Sequence, residues 1–303
     1  MPESKLDSIT DIAFRWAEDT EPQPSDIPDV LYHYTDANGL IGMLRSNEVW
    51  ATDYRFLNDR SEIAHTRSLV RSLISEEMKK TNDSLVARLY AQILQFEGAG
   101  NLGDPYVFSF SEEADDLSQW RGYAREGQGF TIGFCAKSIY KASSKKGSGF
   151  SFCKVVYDEN KQWKSISKAL GEMVEELRRV TKASKTDEDM AISHTVDWFD
   201  LLVGIRATAN KHHSFRKEGE WRTISLINED DRHEVKIRSS GVRLVPYLPV
   251  GLRSKEMEKL PILRVGIGPG FTSGDEVYAV QALCNEAGYK PEIYSADTPY
   301  RRV

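Results

Sequence analysis

The chain has 303 residues, 40% hydrophobic and 28% charged, with a formal net charge of −6. Its mean hydropathy of −0.48 and its short apolar runs, such as Leu201–Ile205, exclude a membrane-spanning helix, which needs about 20 apolar residues. The opening MPESKLDSITD has no apolar core of a secretory signal, and three cysteines without CxxC spacing argue against a disulfide framework or a thiolate zinc site. The expectation is a cytoplasmic protein with no membrane partner.

Charge is unevenly spread. Residues Lys137 to Lys185 hold 12 Lys/Arg against 5 Asp/Glu, or +7, leaving −13 for the rest. A second basic stretch carries Arg206, Lys211, His212, His213, Arg216 and Lys217. Such asymmetry marks either a polyanion-facing surface or a solvated helix face.

In chain order, Leu6 to Glu18 has Ile9, Ile12, Ala13 and Trp16 at helical spacing and predicts an amphipathic helix over 6–18. A strand follows at Val30–Tyr34, then a helix capped by Thr35-Asp36 and running to about Arg45. Val49–Asp53 predicts a strand, and Arg60–Lys80 and Asn82–Phe96 predict helices. The middle is β-rich, with strands at Tyr106–Phe110, Phe130–Phe134 and Phe152–Tyr157. Two long helical patterns occupy about 160–181 and 187–211. Strands at Glu220–Ile227, Val235–Ile237, Arg243–Leu248 and Ile262–Gly266 come next, then a helix around Gly274–Glu286 and a strand at Glu292–Ser295. Strands scattered among helical blocks, without regular βαβ spacing, predict an α+β fold with a mixed or antiparallel sheet. The reading is one domain over 1–303, with a helical insertion at about 160–211.

No Walker loop, GxGxxG or GxSxG is present. The glycine cluster Gly266-Ile267-Gly268-Pro269-Gly270 offers either backbone N–H groups to a phosphate or a structural turn. The six histidines show no metal-ligand spacing such as HExxH, and adjacent His212 and His213 would not face each other on a helix, so no metal is expected.

Four segments are dense in polar and aromatic residues. Tyr32-His33-Tyr34-Thr35 ends the first strand, where His33 and Tyr34 point to opposite faces. The loop from Trp50 to Glu62 includes Tyr54, Arg55 and Asn58; Asn58 or Asp59 suits a helix cap, with Glu62 completing a capping box. Phe108-Ser109-Phe110-Ser111 precedes a segment in which Trp120 and Tyr123, three apart, share a helical face on which a flat ligand could stack or which could be core. In Glu218-Gly219-Glu220-Trp221-Arg222, a strand puts Glu220 and Arg222 on one face and Trp221 on the other.

Together and in this order, these segments resemble domain-of-unknown-function family 2971. The matching features are His33-Tyr34-Thr35, Trp50, Leu57-Asn58-Asp59 with Glu62, Phe108-Ser109-Phe110 and Trp120 with Tyr123-Ala124. Gly129-Phe130 with Gly133-Phe134, Glu218 with Glu220-Trp221-Arg222, and Pro299-Tyr300-Arg301 complete them. Arg60 stands where the family's loop usually has proline. The resemblance covers about residues 30–302, outside the N-terminal helix and the 160–211 region.

More distantly, the layout resembles the ADP-ribosyltransferase superfamily, which implies a split mixed sheet around an NAD cleft with helical insertions. By that resemblance His33 binds the nicotinamide-side ribose with Thr35 nearby, Tyr54 or Tyr123 stacks on nicotinamide, and Glu220 is the catalytic carboxylate. Tyr34, Asn58 and Trp120 belong with the NAD contacts, and Arg55, Arg125, Arg222 and Arg301 are candidates for the pyrophosphate. His33, Tyr123 and Glu220 then form the catalytic set. The implied protein is an NAD-dependent ADP-ribosyltransferase that modifies a nucleic acid or protein acceptor, by analogy a toxin or anti-phage effector restrained by an antitoxin. A non-catalytic nucleotide- or nucleic-acid-binding adaptor is the alternative, and a metal-dependent nuclease a third reading.

Overall fold

The computed structural model describes residues 7–18, 22–57, 61–95, 104–145, 148–184, 187–227, 229–240, 243–253 and 258–299. Its organising element is β3 (Asp104–Ser111), whose run PYVFSFS is buried almost throughout, as aromatic and β-branched residues without alternation require of a strand covered on both faces. One edge of β3 pairs antiparallel with β6 (Glu220–Ile227) along its whole length, from Asp104 opposite Ile227 to Ser111 opposite Glu220. The other edge meets two different strands. β2 (Val49–Asp53) pairs at Tyr106 and Val107, and β1 (Val30–Thr35) pairs only at Ser111. Between these contacts Phe108, Ser109 and Phe110 have no ladder partner on that edge among the described residues, and the sheet forks.

The full sheet runs β10 (Glu292–Ser295), β9 (Ile262–Ile267), β4 (Phe130–Cys135), β1, β3, β2, β8 (Arg243–Val250), β7 (Lys236–Ser240), with β6 and then β5 (Ser151–Lys154) branching from β3. The β9–β10 ladder is parallel and the other ladders are antiparallel. The fold is therefore α+β with a mixed sheet.

Two hydrophobic cores flank this frame. Helices α2 (Ala37–Ser46), α6 (Ala136–Ser143) and α9 (Asp275–Glu286) pack on the sheet, over a core that includes Phe108, Phe110, Phe134, Phe152 and Trp221. The rings meet mostly edge to face, such as Phe110 and Phe134 at 5.5 Å and 84°, the geometry aromatic quadrupoles prefer. Helices α1 (Asp7–Glu18), α3 (Ser61–Lys80), α4 (Ser84–Gln95), α7 (Glu159–Ser184) and α8 (Glu188–Ala209) build the second core around Leu73, Leu89, Met173, Leu177 and Phe199. α8 also packs on β3 and β6. Its apolar residues surround the whole helix, as a helix sandwiched between two layers needs. The predicted 160–181 and 187–211 patterns are α7 and α8, and the predicted 6–18 helix is α1. Among the described residues no helix is long and apolar enough to cross a membrane.

Candidate functional site at the fork of the sheet

The divergence of β1 and β2 from β3 opens a cleft of about 510 Å³, lined among others by His33, Thr35, Ser109, Tyr123, Glu220 and Arg238. Strand alternation explains its first wall. Leu31 enters the sheet core, while Tyr32 and Tyr34 turn to the opposite face and pack with Trp120 and Ala124. His33 is left facing the fork, stacked on Phe108 at 4.1 Å. Its Nδ1 lies 2.8 Å from the Ser109 carbonyl oxygen. A carbonyl only accepts, so Nδ1 carries the hydrogen and Nε2 the lone pair. The side chain thus occupies the position a neighbouring strand leaves vacant at Ser109. Burial lowers its pKa to about 4, so the imidazole is neutral at pH 7.

The opposite wall is a quartet of charges. Glu220 accepts from Arg222 Nε at 2.8 Å and Nη2 at 2.9 Å, and from Lys211 Nζ at 3.1 Å. Lys211 also donates to Glu218 at 2.5 Å and lies 4.8 Å from the Phe215 ring centroid. Arg222 Nη1 donates to the Thr208 carbonyl at 2.6 Å, tying β6 to the end of α8. Glu220 and Arg222 share a face of β6 as alternation predicts, and Trp221 on the other face stacks on Phe152 at 5.2 Å. Burial opposes the Glu220 charge, but the Arg222 and Lys211 cations outweigh it and hold the carboxyl at about 2. Glu218 behaves oppositely: burial raises its pKa, with Lys211 pulling the other way. The Ser109 hydroxyl also hydrogen-bonds Glu220, so one residue links both walls, its carbonyl to His33 and its side chain to Glu220.

Tyr123, at the end of α5 (Leu117–Tyr123), lines the cleft and is 40% exposed. Trp120 does not share that surface, contrary to the sequence expectation. It is fully buried, edge-on to Tyr34 at 4.9 Å, with Nε1–H donating to Asp115 at 2.7 Å. The cause is the docking of α5 on β1, which turns Gln119 and Trp120 inward and leaves Tyr123 on the outer side of so short a helix. Tyr34 lines the cleft, but its hydroxyl is engaged by the β3–α5 loop, donating to Glu113 O at 2.8 Å and accepting from Asp116 N at 3.0 Å. Tyr54 is not among the lining residues. From its turn, Phe56 and Leu57 reach the cleft, while the Tyr54 ring lies beside Arg55 at 5.7 Å.

The arginines sort by partner. Arg55 grips Asp53 in bidentate fashion and also reaches Asp104, Arg125 pairs with Asp36, and Arg222 is held by Glu220. Arg301 and Asn58 lie outside the described residues. Arg238, which sequence reasoning missed, lies in the cleft near the Trp50 ring at 6.0 Å and donates to Thr52 Oγ1 at 2.9 Å. Its Nε is buried without a hydrogen-bond partner, and the ion pairs among the described residues do not include it. Only the β2–β8–β7 pairing brings this strand to the fork, so no local motif signals it. Lys211 and Glu218 were legible as a basic and an acidic residue but not as one cluster.

The glycine cluster is a turn packed on backbone: Gly268 N–H donates to Gly129 O at 2.9 Å and Gly270 N–H to Gly127 O at 3.0 Å. Within the basic stretch, Lys137, Lys154, Arg178 and Arg179 pair with Asp29, Glu112, Asp83 and Glu176.

Residues 119–223 match the family model described as Protein of unknown function (DUF2971). The match runs from within α5 to the middle of β6, so it includes Tyr123, Lys211, Glu218, Glu220 and Arg222 and leaves out His33 and Arg238. No curated protein and no protein of solved structure matches the chain.

Proposed function

We propose that the cleft binds NAD and that the protein is an ADP-ribosyltransferase acting on a macromolecular acceptor. What supports the reading is the link through Ser109, which holds a neutral imidazole and a fully ionised carboxylate on facing walls of one cleft. A cleft of about 510 Å³ is in the ordinary range for small-molecule sites, about 300–1,000 Å³. Arg238, which forms no ion pair among the described residues, suits a phosphate, and the exposed face of Tyr123 suits a flat cationic ring.

Transfer breaks the bond from ribose to nicotinamide, the electron pair leaving with the ring, and joins that carbon to an acceptor whose proton must be taken up. The Glu220 charge stabilises the cationic sugar that develops. His33 Nε2 accepts from a ribose hydroxyl. Glu218, with its raised pKa and its hydrogen bond to Lys211, takes the acceptor's proton.

A non-catalytic adaptor is favoured by one observation: both Glu220 oxygens are already engaged by Arg222 and Lys211. The deciding experiment incubates the protein with NAD labelled in the adenylate, alongside lysate protein, RNA or DNA, while released nicotinamide is measured. Label on one polymer class, lost in Glu220→Gln, is expected. Absence of both label transfer and nicotinamide release with every acceptor would hand the cleft to the adaptor reading.

A further inference from the structure

Just beyond Lys211 the chain brings together Glu159, His212 and His213, with one ligand atom from each lying within 4.8 Å of the others. Adjacent histidines on a helix would diverge, but here His212 is extended, at φ −63° and ψ 143°, and caps the 3-10 helix His213–Glu218. The two rings therefore lie side by side, 4.1 Å between centroids. His212 Nε2 and His213 Nδ1 are each 3.9 Å from the same carboxylate oxygen, Glu159 Oε1. Tetrahedral zinc spaces its ligands about 3.4 Å apart, so each nitrogen needs to close on the carboxylate oxygen by only about half an ångström.

From this geometry we infer a divalent transition-metal site of zinc type, with two imidazoles and one carboxylate. Imidazole and carboxylate together suit zinc rather than calcium or magnesium. The surroundings order the ligands. His212 Nδ1 is 2.9 Å from Ser214 Oγ, and donating there leaves Nε2 unprotonated on the Glu159 side, at the loss of the longer 3.4 Å contact from Ser214 N–H. Gln162, 1% exposed, donates to the Val156 and Lys211 carbonyls and accepts from His65 Nε2 at 2.9 Å, which fixes the start of α7 against this segment. A bound ion would clamp α7 to the chain between Lys211 and Glu218, one wall of the cleft. The site is independent of the NAD reading.

The test titrates the full chain, free of any affinity tag and stripped by chelator, with Zn²⁺ against a chromophoric competitor, then with Co²⁺ for its ligand-field absorption. The expected result is one tight equivalent per chain, weakened at least about tenfold in His213→Ala and in Glu159→Gln, with amide exchange across 211–218 slowed by metal in the wild type. Both residues are solvent-facing, so these variants should fold, and circular dichroism checks that. Absence of a stoichiometric equivalent in the wild type, or its retention in both variants, would overturn the site.

Discussion

His33 and Glu220 hold protons differently in the folded and unfolded chains, and that difference is measurable. His33 titrates at about 4 when folded against 6.5 when unfolded. Between those values the unfolded chain binds more protons, so stability falls as pH falls through this window, by at most about 1.4 kcal/mol per pH unit for one proton. Glu220, at about 2 against 4.5, contributes stability that is present above pH 4.5 and lost as pH falls toward 2. Glu218, its pKa raised by burial, has the opposite sign: its contribution is present at low pH and lost as pH rises through its folded value. Urea unfolding across pH 6.5 to 4 should therefore show a declining midpoint in the wild type and a shallower decline in His33→Gln. Parallel curves would mean that His33 titrates as an exposed imidazole.

Among the elements, α2 has its N-terminal end on the cleft. Asp36 caps it, accepting from Gly39 N–H at 3.0 Å through Oδ1, while Oδ2 accepts from Arg125 Nε at 3.2 Å and Nη2 at 3.0 Å. Gly39 is needed there, because a Cβ would stand 2.0 Å from Thr35 Oγ1. At the other end Asn47, at φ 59°, accepts from Leu260 N–H and the Tyr289 hydroxyl and donates to Glu258 O. Asp36→Ala removes the cap and should cost about 1 kcal/mol. Asp36→Asn keeps a capping oxygen and loses only an exposed ion pair, worth under about 1 kcal/mol, so it should stay near wild type in denaturant melts. Equal destabilisation in the two variants would show that the ion pair, not the cap, anchors α2. The cap itself was readable from Thr35-Asp36, since short polar side chains before an apolar period mark helix starts. The role of Asn47 was not, because its partners are more than 200 residues away.

At the scale of the molecule, the cysteines report on how the two cores are joined. Cys153 is buried with Ala209 and Ile224, at the seam of β5, α8 and β6, and Cys284, on α9, is buried in the sheet core. Cys135 is half-buried, and none of the three is in a disulfide among the described residues. A disulfide reagent should modify Cys135 first in the native protein, and all three at once after denaturation. In mild denaturant, reaction of Cys153 ahead of Cys284 would show the helical layer detaching from the sheet before the sheet opens. Reaction of Cys153 as fast as Cys135 in native buffer would mean that the seam is open.

Apolar periodicity and local caps were enough to locate α1, α7, α8 and most strands, because a helix or strand declares its buried face within a few residues. The same alternation put Glu220 beside Arg222 and turned His33 away from Tyr34. The fork was not readable: β3 meets β1, β2 and β6 across large sequence separations, and only that pairing leaves Ser109 without a strand on one edge. Arg238, Lys211 and Glu218 join the cleft for the same reason. Trp120 and Tyr123 have the helical spacing of neighbours, yet the docking of α5 on β1 buries one and exposes the other. Local chemistry follows from neighbours in the chain, whereas burial, and with it every perturbed charge in the cleft, follows from which distant segments cover it.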